Sequence, residues 1–139
     1  MTGSQFGQPM EGNAVYLEVG VLPAQLAPVR VVAADLAARA DFDLDAVADL
    51  RMAVDEACST LATLAPHGAR LSCLLRVDPD QITVTVRVPA MAAAQLPRDT
   101  FGWRVLNTLT DSVEVLSDNG LHPASLGIRL VKLRRAGMA

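Results

Sequence analysis

Apolar and polar residues alternate from Val15 to Val21, where Val15, Leu17, Val19 and Val21 are interleaved with Tyr16, Glu18 and Gly20. This is the rhythm of a strand with one buried face, and Pro23 ends it. From Ala24 to Ala40 the period becomes helical, with Leu26, Val29, Val32 and Leu36 three or four residues apart. Pro28 is placed in a first turn, where its missing N–H matters least. A second helix starts after Asp43, a suitable N-cap, with Phe42 and Val47 placed to close a hydrophobic staple. Val47, Leu50, Val54, Ala57, Leu61 and Leu64 form its apolar stripe, and Pro66 and Gly68 stop it.

Period two returns at Leu71, Cys73, Leu75 and Val77 and again at Ile82, Val84, Val86 and Val88, on either side of Asp78-Pro79-Asp80. These runs predict an antiparallel hairpin. Residues 89–98 carry two prolines and no clean phase, which reads as a long loop or a weak short helix. Asp99 or Thr100 can cap a third helix bearing Phe101, Val105, Leu106 and Leu109; short strands follow at Val113 to Val115 and at about Leu126 to Leu133. The order β-α-α-β-β-α-β-β predicts an α+β fold. It is expected as a two-layer α/β sandwich, a mixed, mostly antiparallel five-stranded sheet covered on one face by three helices. Residues 1–13, rich in Gly, Gln and Ser, are expected to be a disordered leader, residues 14–135 one domain and residues 136–139 a tail.

Composition narrows the function. Hydrophobic residues make up 51% of the 139 residues but aromatic ones only 4%, which suits a core of closely approaching elements. A formal charge of -3 leaves no basic footprint for nucleic acid. The N-terminus lacks the pattern of a secretory signal, and no apolar run reaches membrane-spanning length, so a cytoplasmic protein with no membrane contact is expected. Cys58 and Cys73 fall on the apolar phase of their segments and read as reduced core thiols. No structural metal is expected.

Chemistry is concentrated in residues 49–60, where Glu56 and Thr60 lie one helical turn apart and share a face. A carboxylate there could polarise water or an attacking hydroxyl, and the oxygen one turn on could face a Mg²⁺ bridging nucleotide phosphates. Taken alone, Asp55-Glu56 is an ordinary solvated pair, and Arg51 to Asp55 reads as an i,i+4 ion pair.

The run DLRMAVDEACSTL resembles the N-box of the RsbW-like anti-sigma factors, a branch of the histidine-kinase-like (Bergerat, or GHKL) ATPases. Glu56, Ala57 and Cys58 match, Thr60 takes the place of the family's Asn, and His67-Gly68 follows. Residues 101–115 are similar to the family's glycine-box helix and the strand after it, and Gly127-Ile128 to the start of its closing strand. The matches run in the family's order from Val15 to Arg134 and are nearest to the actinobacterial regulators of stress sigma factors. The resemblance implies a homodimer that sequesters an alternative sigma factor and releases it to an anti-anti-sigma (STAS-type) protein. It also implies a second activity, phosphorylation of a Ser on the anti-anti-sigma protein with Mg-ATP and Glu56 as catalytic base. Arg30 matches an Arg of the first helix that contacts both partners.

The departures are specific. Thr60 is a poorer Mg²⁺ ligand than Asn. Where the resemblance calls for an adenine-reading Asp and two glycines after the second hairpin strand, the chain has Val88-Pro-Ala-Met-Ala-Ala-Ala. Of the glycine box Gly102 remains, followed by Trp103-Arg104. Nucleotide binding is therefore expected to be weak or absent. If ATP with Mg²⁺ does bind, Glu56, Thr60, Gly102 and Arg104 are the residues to hold it, with Thr60 at the metal. Trp103 either fills the core of the third helix or closes over a pocket or partner.

Overall fold

The structure, a computed structural model, describes residues 13–90, 94–118 and 124–135. Along the chain the elements are β1 (Asn13–Gly20), α1 (Pro23–Arg39), α2 (Leu44–Leu64), β2 (Arg70–Val77), β3 (Gln81–Pro89), α3 (Phe101–Leu109), β4 (Ser112–Asp118) and β5 (Ser125–Leu133). Of the expected leader only Asn13 is described, and it already pairs with Val77 in the sheet. The expected tail, residues 136–139, lies outside the described residues.

The strand order is β1-β2-β3-β5-β4, and all four pairings are antiparallel. Here the structure departs from the mixed sheet expected from the sequence. The strands β3 and β4, joined through α3, do run in the same direction, but β5 lies between them and pairs with both. Every second residue of β2 and β3 is buried, Leu71, Cys73 and Leu75 against Ile82, Val84 and Val86, which gives the sheet one core face and one open face.

The helices supply the second layer. In α2 the expected stripe is in place: Leu50, Val54, Ala57 and Leu61 are fully buried, and α2 packs against both α1 and α3. Asp43 caps it, its Oδ1 accepting from the Ala46 N–H at 2.7 Å. The helix ends at Leu64, and Gly68 follows at φ +78°, in the left-handed region that glycine adopts without strain.

Helix α1 differs from expectation at its start. It begins at Pro23, which occupies the first helical position instead of merely ending the strand, so Pro28 falls in the second turn and lacks the N–H that a helical residue there would donate. With Leu22 at the N-cap, no hydroxyl or carboxylate can cap; the Gln25 Oε1 accepts the Leu22 N–H at 3.1 Å instead. The end is a Schellman motif, the Phe42 N–H donating to the Ala37 carbonyl and the Asp41 N–H to the Ala38 carbonyl. Asp41 therefore takes the left-handed conformation at φ +65°, while Phe42 and Ala37 are buried behind it.

Helix α3 is held at both ends. Thr100 is the cap, its Oγ1 accepting from the Trp103 N–H at 3.1 Å. At the other end Lys132 of β5, its side chain only 13% exposed, donates to the Leu109 carbonyl at 2.8 Å and meets Asp49 of α2 at 3.4 Å. A cation at a helix C-terminus is favoured by the helix dipole. Phe101, expected on the apolar face, is 81% exposed because the stripe facing inward begins one residue later and runs through Trp103 and Leu106.

Two measurements test this packing. Asp41→Gly should stabilise the domain by up to about 1 kcal/mol in chemical denaturation, since the left-handed conformation costs a side-chain-bearing residue and glycine little. Cys58 and Cys73 are buried, and burial pushes the Cys73 thiol up to about 12 and raises that of Cys58, to which nearby Cys73 and Asp55 add. Both should resist alkylation in the native protein at pH 8 and react promptly once it is unfolded. Because the folded state keeps these protons above the ordinary value of 9.0, their contribution to stability should fall as pH rises from 9.0 toward 12.

Candidate functional site

Glu56 and Thr60 meet as the helical period requires: the Thr60 hydroxyl donates to Glu56 Oε2 at 2.9 Å. Both side chains are half-buried on the flank of α2 that faces α3. Gly102, in the first turn of α3, lies directly against this carboxylate. A Cβ placed on Gly102 would overlap Glu56 Oε2 and approach its Cδ to 3.0 Å. The two segments singled out in the sequence are thus adjacent, and the gap between them is taken up by the carboxylate itself.

The remaining candidates are more scattered. Arg104 is exposed on α3, and its backbone N–H is already bonded to the Thr100 carbonyl at 3.3 Å. Trp103 packs half-buried against the core, so it is chiefly a core residue, and the Arg98 guanidinium lies over its ring at 5.7 Å from the centroid. Val88, at the end of the alternation of β3, is buried among core residues. The rest of the stretch where an adenine-reading acid would stand lies partly outside the described residues.

On the opposite flank of α2, Arg30 of α1 reaches Asp55, Nη1 to Oδ1 at 2.9 Å. This replaces the Arg51 to Asp55 pair expected along the helix. A cationic residue N-terminal to its acid is the less favourable order for an i,i+4 pair, and Arg30 offers Asp55 a partner across the helix seam. Arg30 and Asp55 line a groove of about 370 Å³ with Val21, Pro23, Leu26 and Ala62.

Comparison with known proteins agrees with this geometry. The profile of the histidine kinase-like ATPase domain matches residues 20–123. The anti-sigma-F factor RsbW, in each of two strains of Mycobacterium tuberculosis, is 33% identical over 128 residues, covering 89% of this chain and 76% of the relative. The chain belongs to the RsbW-like anti-sigma factor family. A crystal structure of the RsbU and RsbW domains of Rv1364c from Mycobacterium tuberculosis superimposes with a TM-score of 0.63 at 14% identity, a likeness of fold. It covers 91% of this chain, which spans only 34% of that longer one.

Within this RsbW-like domain the residues that would meet ATP with Mg²⁺, if it binds, are Glu56 and Thr60 of α2 and Gly102 and Arg104 of α3. At the start of α3 Gly102 lies against the Glu56 carboxylate, Thr100 Oγ1 accepts the Trp103 N–H, and the Thr100 carbonyl accepts the Arg104 N–H. Thr60 turns its hydroxyl proton to Glu56. Among the described residues no three His, Cys, Asp or Glu side chains gather as a metal cluster. Sequence reasoning missed two residues of this RsbW-like fold, Asp55 as the partner of Arg30 and Lys132 as the clamp on α3. Asp55 looked like half of a helical pair, and Lys132 is a charged residue on the last strand whose contact with α3 has no local sequence signal.

The obstruction at Gly102 is the end of a flexible side chain. Gly102→Ala should therefore be accommodated by swinging Glu56 away from Thr60, with α3 left in place. The higher helix propensity of Ala, worth about 1 kcal/mol, should offset the lost contact, so chemical denaturation should show a net change within about 1 kcal/mol. A loss several times larger would mean that α3 itself had been displaced.

Proposed function

We propose that this chain is an anti-sigma factor that holds an alternative, stress-type sigma factor by surface complementarity and is released when a STAS-type anti-anti-sigma protein competes for an overlapping face. The observation that supports this reading is the Glu56 carboxylate lying against Gly102, where a nucleotide phosphate would have to compete with it, while Arg30 on the other flank of α2 stays accessible. An Arg at such a position suits an interface centre, because its fork pairs bidentately with carboxylates. The protein would act in the cytoplasm as a homodimer, and no helix of the described residues is long and apolar enough to cross a membrane. Release would follow mass action among the partners.

The second reading is an active serine kinase that phosphorylates the anti-anti-sigma protein. The approach of Thr60 to Glu56 favours it, since a base and a small oxygen ligand on one helix face are what such a site requires. ATP titrated with Mg²⁺ and followed by thermal unfolding separates the two. Under the first reading the melting temperature stays constant. A rise that disappears in Glu56→Ala would establish the kinase.

Partner capture is tested by pull-down with mass spectrometry, in which a sigma factor should be recovered with the wild-type chain. Arg30→Ala should reduce its affinity by at least about tenfold, the usual cost of losing an interface hot spot. Retention of an unrelated protein and no sigma factor would refute the assignment.

A further inference from the structure

Arg30 and Asp55 form a bridge between two helices that packing already holds together. Val29, Ala33 and Ala37 of α1 are fully buried, so the α1–α2 seam does not depend on the pair for its cohesion. Their side chains are 33% and 44% exposed, and ion pairs in such surroundings add little to stability. The effect of the contact falls on Arg30 itself.

A guanidinium carries five N–H donors in a planar fork. Asp55 takes one of them, on Nη1, and among the described residues the Arg30 side chain makes no other hydrogen bond. The Nε–Nη2 edge, which suits side-on bidentate pairing with a carboxylate, is left for another molecule. Asp55 therefore does not compete for the edge a partner would use. It restricts a side chain that would otherwise sample many rotamers, and a group ordered before binding costs less to order during it.

The geometry points to Asp55 as a positioning residue for partner capture: it fixes the Arg30 fork so that its second edge can receive a partner carboxylate. This rests on the reading of Arg30 as the partner contact. Asp55 also cancels the charge of Arg30 locally, so anions in general gain little attraction and a partner is distinguished by short-range fit.

The test uses the full chain and the sigma factor recovered with it, in a double-mutant cycle read by association and dissociation kinetics. Asp55→Ala should weaken binding about tenfold, chiefly through faster dissociation, as expected when preorganisation is lost. Its melting temperature should stay close to wild type. Asp55→Asn, which keeps an acceptor of the same size, should stay within about threefold of wild type. In an Arg30→Ala background Asp55→Ala should have no further effect.

An Asp55→Ala loss that persists without Arg30, or no loss where Arg30→Ala alone weakens binding, overturns the proposal and leaves the Arg30 reading standing. If Arg30→Ala binds the sigma factor as wild type does, both fall together. The free chain gives a readout that needs no partner: relaxation of the Arg30 Nε–H should be that of a rigid group in wild type and of a mobile one in Asp55→Ala. A mobile Arg30 in wild type also overturns the proposal.

Discussion

The structure depends on one helix being satisfied on three sides at once. The apolar stripe of α2 is pressed on the sheet, and burial of this kind is the main force that holds such a layer in place. Its two flanks are then left to polar residues. Asp55 meets α1 on one side, and Glu56 meets α3 on the other. Adjacent positions on a helix point about a quarter-turn apart, so these neighbouring acids serve different neighbours. Two consecutive residues thus tie α2 to the helices on either side of it.

The two flanks of α2 differ in character. On the α3 side a carboxylate, a hydroxyl and a glycine fill one another's space, and the helix start that elsewhere cradles an anion faces a negative charge. On the α1 side the groove remains open, and its polar pair is accessible to solvent. One flank of the central helix is thus filled by side chains that touch one another, and the other is lined by an ion pair that solvent reaches.

Most of the fold was legible because periodicity reports burial, and burial decides these elements. The stripe of α2, the alternation in β2 and β3 and the cap at Asp43 all followed from local pattern, and of the two cap candidates for α3, Asp99 and Thr100, the structure uses Thr100. What escaped depended on chain topology. The position of β5 between β3 and β4 has no local signature, and with it went the antiparallel character of the whole sheet. The start of α1 was misread because Pro23 is equally at home ending a strand and opening a helix. In the site, Glu56, Thr60 and Gly102 were found through a family pattern and proved to be neighbours, whereas the Arg30 to Asp55 bridge joins residues 25 apart in sequence, and only the packing of two helices brings them together.

The placing of β5 also bears on how the chain is made. Residues 125–133 form the strand flanked by β3 and β4, although they are synthesised after every other strand of this sheet. During translation β3 must wait with an unpaired edge until this segment leaves the ribosome, and such edges are where nascent chains associate wrongly. A chain cut short before Ser125 would keep β1, β2 and β3 paired and leave β4 with no strand to pair with, where loss of an outer strand would merely have narrowed the sheet.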